Sequence, residues 1–217
     1  MAVKISKTYA LTNRGKHFGN AWSVYSYKTK KHYKLTSDVE FAHWLLFLEF
    51  DQKVRDFELY PPARLLIHPR PHKVQLNAEV SLSDGSLEWH KIIPLDHQET
   101  DTVVLDLKKL AQDQGVKLRV FSLEQIVPLK YKIMPLLRVL ACLTGGKYLT
   151  APYNLSQDVS AYVRTNIKGS LGGFLEHFSG HDPSVLHYFF AKLYAEGVIS
   201  VELNPYFFAA DTGWTLQ

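Results

Sequence analysis

The chain has 217 residues, of which 46% are hydrophobic and 21% are charged, and its formal net charge is +4. These proportions are typical of a folded globular protein and exclude a disordered or fibrous one. The single cysteine, Cys142, excludes a disulfide framework or a cysteine-based zinc site within one chain, which fits a reducing compartment. The sequence lacks the apolar core of a signal peptide and the longer apolar run of a membrane span, so we expect a cytoplasmic protein without a membrane partner.

The positive charge is concentrated in residues 1 to 37, which contain no acidic residue. Aromatic residues are interspersed with the lysines there, which favours an ordered segment because aromatic rings need a surface to bury against. The segment is either a solvated basic face or a phosphate-binding surface. On the second interpretation, the predicted DNA-binding residues are Lys16, Lys28, Lys30, Lys31 and Lys34.

Helical and extended patterns alternate in the first half of the chain. A helix begins after Thr36 or Ser37, because apolar residues follow at three- and four-residue spacing. Residues 74 to 82 alternate between apolar and polar, as in a half-buried strand, and the Asp-Gly pair within residues 83 to 86 predicts a hairpin turn. A return strand, a helix ended by Gly115 and a further strand follow. The predicted fold class is mixed α/β with a small curved sheet.

The second half is predicted to be mainly helical. Asp182 is a helix cap, and Pro183 occupies the first turn of the helix that follows. After Gly197 the pattern changes to alternation, so helices precede a two-stranded wing, which is the order of a winged helix. We therefore predict two domains: a basic arm with an α/β domain over residues 1 to 130, and a helical, winged-helix-like domain over residues 131 to 217.

Three segments together resemble the TnsA family, the endonuclease subunit of heteromeric transposases. The most specific begins with the basic K-T-K-K and S-D-V-E and continues as LLFLEFDQKVRDFELYP; the other two are LKKLAQDQGVKLRVFSLEQI and LYAEGVISVELN. The resemblance implies a restriction-endonuclease-like domain in which a helix glutamate, a strand acid and a strand lysine converge on Mg²⁺. It also implies binding to transposon-end DNA and association with a transposase subunit and an AAA+ ATPase regulator.

The resemblance places the helix glutamate at Glu40 and the strand acid at Asn77. Asparagine brings no charge, so Mg²⁺ would be bound more weakly. Glu79 can substitute as a metal ligand if the ion lies about 6 to 7 Å further along the strand. Glu40 and Asn77 or Glu79 would then bind the ion, and Lys91 would stabilise the nucleophile or the transition-state charge. The alternative interpretation of Glu40 is a surface acid near the positive end of a helix.

The return strand departs from the Glu-x-Lys pattern of the family. Alternation places Glu88 and His90 on one face and Trp89 and Lys91 on the other, so the options are Trp-x-Lys and Glu-x-His. If the centre is competent, the predicted reaction is Mg²⁺-dependent phosphodiester hydrolysis at the 5′ ends of the element. Because Asn77 and the return strand depart from the family pattern, a second interpretation is open. The protein would have a nuclease fold that no longer cleaves, and it would serve as a non-catalytic DNA-binding adaptor or docking protein. A stand-alone regulator that binds DNA through its C-terminal half is a third possibility.

Overall fold

The computed structural model describes residues 21–66, 71–93, 100–149, 152–204 and 208–217. Over these ranges the protein is mixed α/β, with a mixed sheet and flanking helices, as predicted. Lys16 and the rest of the basic arm before residue 21 lie outside the described residues. Among the helices within those ranges, none is both long enough and apolar enough to cross a bilayer.

A four-stranded sheet forms the centre of the first half. Its strands are β3 (Val54–Leu59), β6 (Ala78–Leu82), β7 (Leu87–Ile92) and β8 (Lys117–Phe121), hydrogen-bonded in that order. The β3–β6 and β6–β7 pairs are antiparallel, whereas the β7–β8 pair is parallel. The predicted hairpin turn between β6 and β7 is present, and Gly85 adopts there a φ of 87° that favours glycine.

Helices cover both faces of this sheet. Helix α1 (Asp38–Trp44) continues as a π-helical turn, Leu45–Glu49, and packs on the face to which Val80 points. Helix α2 (Thr100–Asp113) packs on the opposite face against Trp89. It also provides the crossover that a parallel pair of strands requires.

Two short hairpins flank the sheet. One consists of β1 (Trp22–Tyr25) and β2 (His32–Leu35), and the other of β4 (Arg64–Leu66) and β5 (His72–Val74). The predicted strand over residues 74 to 82 is thus divided, because β5 ends before β6 begins. The β1–β2 hairpin was not predicted as strands, although the sequence did predict an ordered segment there. Its inward residues join the core of α1, which leaves its other face exposed.

The second half is mainly helical, as predicted. After the short α3 (Leu123–Ile126) and a 3₁₀ helix, Val127–Lys132, the longer helices are α4 (Ile133–Gly146), α5 (Tyr153–Thr165), α6 (Leu171–His177) and α7 (Pro183–Ala195). A three-stranded sheet, ordered β10-β11-β9, shares a core with α5, α6 and α7. Its strands are β9 (Lys168–Ser170), β10 (Ile199–Val201) and β11 (Gly213–Leu216).

Helix α4 joins the two halves of the chain. Leu136, Val139 and Leu143 belong to the core that α1 forms with the sheet, while another side of α4 packs along α7. Gly146 allows the close approach, because a Cβ atom at that position would lie 1.9 Å from Cδ2 of Tyr188. The domain boundary near residue 130 stays a prediction, since α4 contacts both halves.

Candidate functional site

Glu40 lies in the first turn of α1 and faces the residues before β6. Its Oε2 atom accepts hydrogen bonds from the Thr36 amide at 2.9 Å, the Thr36 hydroxyl at 2.8 Å and the Tyr60 hydroxyl at 2.9 Å. Its Oε1 atom lies 3.3 Å from Nδ2 of Asn77. The carboxylate therefore holds the segment that enters α1 and also contacts the residue at which the TnsA resemblance places the strand acid.

Asn77 and Lys91 complete the cluster around Glu40. The Oδ1 atom of Asn77 accepts from the Ile92 amide at 2.8 Å, and Nζ of Lys91 donates to the Gln75 carbonyl at 2.8 Å. Burial lowers the pKa of Lys91, and the negative charge of Glu40 opposes that shift. Of the three residues predicted as catalytic, Asn77 contacts Glu40 directly, whereas Lys91 lies near enough for the charge of Glu40 to affect its pKa while its ammonium binds the Gln75 carbonyl.

Glu79 has a different set of partners. Its carboxylate pairs with the Arg64 guanidinium and accepts from the Trp89 indole at 2.9 Å. The Arg64 guanidinium also lies 4.7 Å from the centre of the Trp89 ring. These contacts are on the α2 face of the sheet, and the positive charge of Arg64 neutralises the negative charge of Glu79.

The Glu40 cluster does not fit a divalent cation. Mg²⁺ is usually bound through one or two carboxylates together with other oxygen ligands. Both oxygens of Glu40 already face hydrogen-bond donors. The carbonyl oxygen of Asn77 accepts from the Ile92 amide, since the amino group of Asn77 can only donate. The amino group of Asn77 therefore faces Glu40. Within the described parts of the chain, no group of three or more His, Cys, Asp or Glu side chains is arranged to hold a metal ion.

A buried polar chain lies on the α1 face of the sheet. Nε2 of His43 lies 3.1 Å from Nδ1 of His90, and Nε2 of His90 lies 3.4 Å from Oε2 of Glu88. A carboxylate only accepts, so His90 donates from Nε2 and accepts at Nδ1 from His43. His43 is 1% exposed and His90 is 0% exposed, so a substrate has no access to either ring. We therefore assign this row of hydrogen-bonded side chains to the core. The Glu88 and His90 pair, which was the Glu-x-His option, does not form a site that a substrate can reach.

Burial keeps both histidines of this chain neutral at pH 7. It lowers the pKa of His90 to about 4 and holds the pKa of His43 well below its ordinary value. For Glu88, burial alone would raise the pKa, but the contacts with Lys117, His90 and Arg119 outweigh it and leave the pKa lowered. Glu88 is therefore ionised at neutral pH, beside two cations.

The side chain of Lys28 stabilises the fold rather than extending into solvent. Its ammonium donates to the backbone carbonyls of Leu48 and Asp51, each at 2.7 Å, and so closes the end of the π-helical turn. Burial lowers the pKa of Lys28 to about 8, although the charges of Glu49 and Asp51 oppose the shift. Glu49 fixes the same turn, because its carboxylate accepts from the Ser26 hydroxyl at 2.6 Å and from the Lys28 amide at 3.1 Å.

Lys30, Lys31 and Lys34 are exposed on the β1–β2 hairpin. The ammonium of Lys30 lies 3.3 Å from the centre of the Tyr27 ring. Lys34 is paired with Ser23 and lies on the outward face of the hairpin, because the residues next to this pair on both strands are buried or half-buried. These three lysines are exposed to solvent, whereas the ammonium of Lys28 is directed into the fold.

No protein-family model matches the chain, and no curated protein sequence matches it. The resemblance to TnsA therefore rests on the sequence motifs that carry it.

Proposed function

We propose that the protein is a TnsA-like, DNA-binding subunit of a transposition complex in which the metal-dependent cleavage centre has lapsed. The carrying observation is the cluster of Glu40, Asn77 and Lys91. These residues stand where the resemblance places a nuclease centre. At the position of its second carboxylate this protein has Asn77, which carries no charge. The carboxylate that remains, Glu40, accepts hydrogen bonds from its neighbours. A transposase subunit and an AAA+ ATPase regulator are the proposed protein partners.

The order of elements supports the restriction-endonuclease-like part of this proposal. Helix α1, strands β3, β6 and β7, helix α2 and strand β8 form a helix-strand-strand-strand-helix-strand series, which the separate β4–β5 hairpin interrupts between β3 and β6. Three antiparallel strands and a final parallel strand reached through α2 place the start of α1 next to the β6–β7 pair. The carboxylate of a helix and the side chains of two strands can meet there, which is the geometry that the resemblance implies.

The C-terminal half supports a winged-helix-like unit with an unusual surface. Its series is α5, β9, α6, α7, β10 and β11. In helix-turn-helix proteins the second helix of the motif enters the major groove. The two helices of the motif here are α6 and α7. The second of them, α7, packs along α4, and most of its side chains are buried or half-buried. This favours a docking role for the C-terminal half over a stand-alone regulator that reads DNA through α7.

The proposed DNA contact lies on the N-terminal half, where the segment over residues 1 to 37 has no acidic residue to repel phosphate. Lys30, Lys31 and Lys34 are the described lysines that extend from it into solvent. Backbone phosphates, rather than base edges, are the partners that such a surface fits, because exposed ammonium groups act as point charges. Binding is therefore expected to depend strongly on salt.

The test is DNA affinity measured by fluorescence anisotropy over a series of KCl concentrations. Each neutralised phosphate of duplex DNA contributes about −0.9 to the slope of log affinity against log salt, so the triple variant Lys30→Gln/Lys31→Gln/Lys34→Gln reduces the magnitude of the slope by up to about 2.7.

A matched control removes the same charge elsewhere, from the exposed lysines Lys53, Lys108 and Lys109. It should change the slope far less than the hairpin variant. Equal effects of the two triple variants, or an affinity of the wild-type protein that is independent of salt, would contradict the proposed DNA surface.

A further inference from the structure

A second acid-free segment contains α4, whose C-terminal end lies beside the β1–β2 hairpin. Residues 125 to 157 contain no aspartate or glutamate, and they include Lys130, Lys132, Arg138 and Lys147. Most of this segment is the 3₁₀ helix and α4. Lys130 in the 3₁₀ helix, Arg138 in α4 and Lys147 directly after α4 are exposed.

The C-terminal end of α4 contacts the outward face of the hairpin. Nζ of Lys147 lies 4.2 Å from the centre of the Tyr25 ring and 4.7 Å from the centre of the Tyr148 ring. The Tyr25 ring is 5.0 Å from the ring of His32, its partner across the hairpin. With Lys34 on the same outward face, residues far apart in sequence form one continuous surface. We call it the hairpin–α4 surface: Tyr25, His32, Lys34, Lys147 and Tyr148.

Exposed tyrosine rings distinguish this surface from a simple basic patch. Tyr148 is 80% exposed, which leaves both its ring and its hydroxyl open to a ligand. The Lys147 ammonium lies beside this ring, 4.7 Å from its centre. An exposed ring flanked by a cation can stack on a nucleobase while the cation meets the adjacent phosphate.

We infer that the hairpin–α4 surface binds an unpaired strand of DNA, with Tyr148 stacking on a base and Lys147 and Lys34 contacting phosphates. The inference rests on the proposed DNA-binding function and specifies the form of DNA that is bound. Bases within a duplex are already stacked on one another, so they do not offer a free face to Tyr148. An acidic polypeptide would meet the same cations, but it lacks the bases on which Tyr148 would stack.

Gly145 offers a way to change the charge of this surface without disturbing the packing. It is exposed on α4, close to Tyr148, and a Cβ atom at this position would have no neighbouring atom within 4 Å. Gly145→Glu introduces an acid, Gly145→Lys introduces a cation, and Gly145→Ala is the neutral control. All three replace a helical glycine by a residue of higher helix propensity, so the fold should be retained, and thermal melting checks this.

Affinity is measured with a single-stranded oligonucleotide of mixed sequence and with a blunt duplex of the same length. Gly145→Glu should weaken single-strand binding roughly tenfold, Gly145→Lys should strengthen it, and Gly145→Ala should leave it within about twofold. Tyr148→Ala should weaken single-strand binding roughly fivefold or more, with less effect on the duplex, whereas Tyr148→Phe should retain it because the ring is kept.

The outcomes separate this inference from the function on which it rests. A wild-type protein that binds DNA with an affinity unchanged by Gly145→Glu and Tyr148→Ala overturns the inference and leaves DNA binding intact. A wild-type protein that binds neither oligonucleotide overturns both. Competition by poly-glutamate that equals competition by the oligonucleotide, at matched charge, assigns the surface to an acidic polypeptide and also overturns the inference.

Discussion

Gly146→Ala will lower the free energy of unfolding by about 3 kcal/mol, the upper end of the range for overpacked cores. An added Cβ atom at Gly146 would lie 1.9 Å from Cδ2, 2.3 Å from Cγ and 2.7 Å from Cβ of Tyr188. The clash involves the Cβ atom of Tyr188, so a rotation of the tyrosine ring alone does not relieve it. Helix α7 must move away from α4, and the core contacts between the two halves of the chain are weakened.

The neighbouring glycine supplies the matched control. Gly145→Ala adds the same methyl group to the same helix, but into open space, and should raise the free energy of unfolding by up to about 1 kcal/mol through helix propensity. Urea denaturation of the two variants measures the difference. Equal stabilities would show that α4 and α7 do not pack as closely as described, and would remove the reason for excluding α7 as a DNA-reading helix.

Acidification from pH 7 to pH 4 will lower the free energy of unfolding by about 3 kcal/mol through His90 alone, since one pKa unit corresponds to about 1.4 kcal/mol. The pKa of His90 falls from 6.5 to about 4 in the folded protein. Between these values the unfolded chain binds more protons, so stability is fully present above pH 6.5 and falls as the pH falls toward 4. His43 acts in the same direction because its pKa is also lowered.

The measurement is urea denaturation as a function of pH for the wild-type protein and the double variant His43→Leu/His90→Leu. The double variant removes both rings together, so neither is left as an unpaired partner, while Glu88 keeps its contacts with Lys117 and Arg119. Its stability should depend less on pH between 6.5 and 4. The variant His177→Gln, at an exposed position, should follow the wild type. Imidazole resonances of His43 and His90 that titrate near pH 6.5 would contradict the prediction.

Local signals in the sequence predicted several helices, strands and turns correctly, but not the β1–β2 hairpin or β9, which makes the predicted two-stranded wing a three-stranded sheet. Ser37 accepts a hydrogen bond from the Glu40 amide at the start of α1, and Asp182 does the same for Ser184 at the start of α7. Gly85 and Gly115 adopt the positive φ values for which their turns were identified. These features depend on residues a few positions apart, so they can be read from a short window of sequence.

Contacts between distant segments could not be predicted in this way. Lys28 belongs to a lysine-rich segment, yet its ammonium binds the carbonyls at the end of a helix that follows later in the chain. Lys147 was overlooked because nothing in its own neighbourhood connects it to Tyr25. The burial of α7 against α4 likewise depends on the tertiary packing at Gly146, which gives no signal in the pattern of apolar residues.

The candidate centre was identified from the sequence through its resemblance to TnsA, and the geometry limits what it can do. Asn77 contacts Glu40, and the charge of Glu40 acts on the pKa of Lys91. The hydrogen bonds that occupy Glu40, and the Ile92 amide that orients Asn77, could be found only in the structure. They are the reason for proposing a DNA-binding subunit that does not cut.

The most direct measurement is incubation of the wild-type protein and Glu40→Ala with a plasmid carrying candidate ends, in Mg²⁺ or Mn²⁺, with and without candidate partner proteins. Gel mobility reports binding, and the topology of the recovered plasmid reports nicking. We predict that both proteins bind the plasmid equally and leave it intact under every condition. Nicks produced by the wild-type protein and lost in Glu40→Ala would show an active metal centre and contradict the central claim.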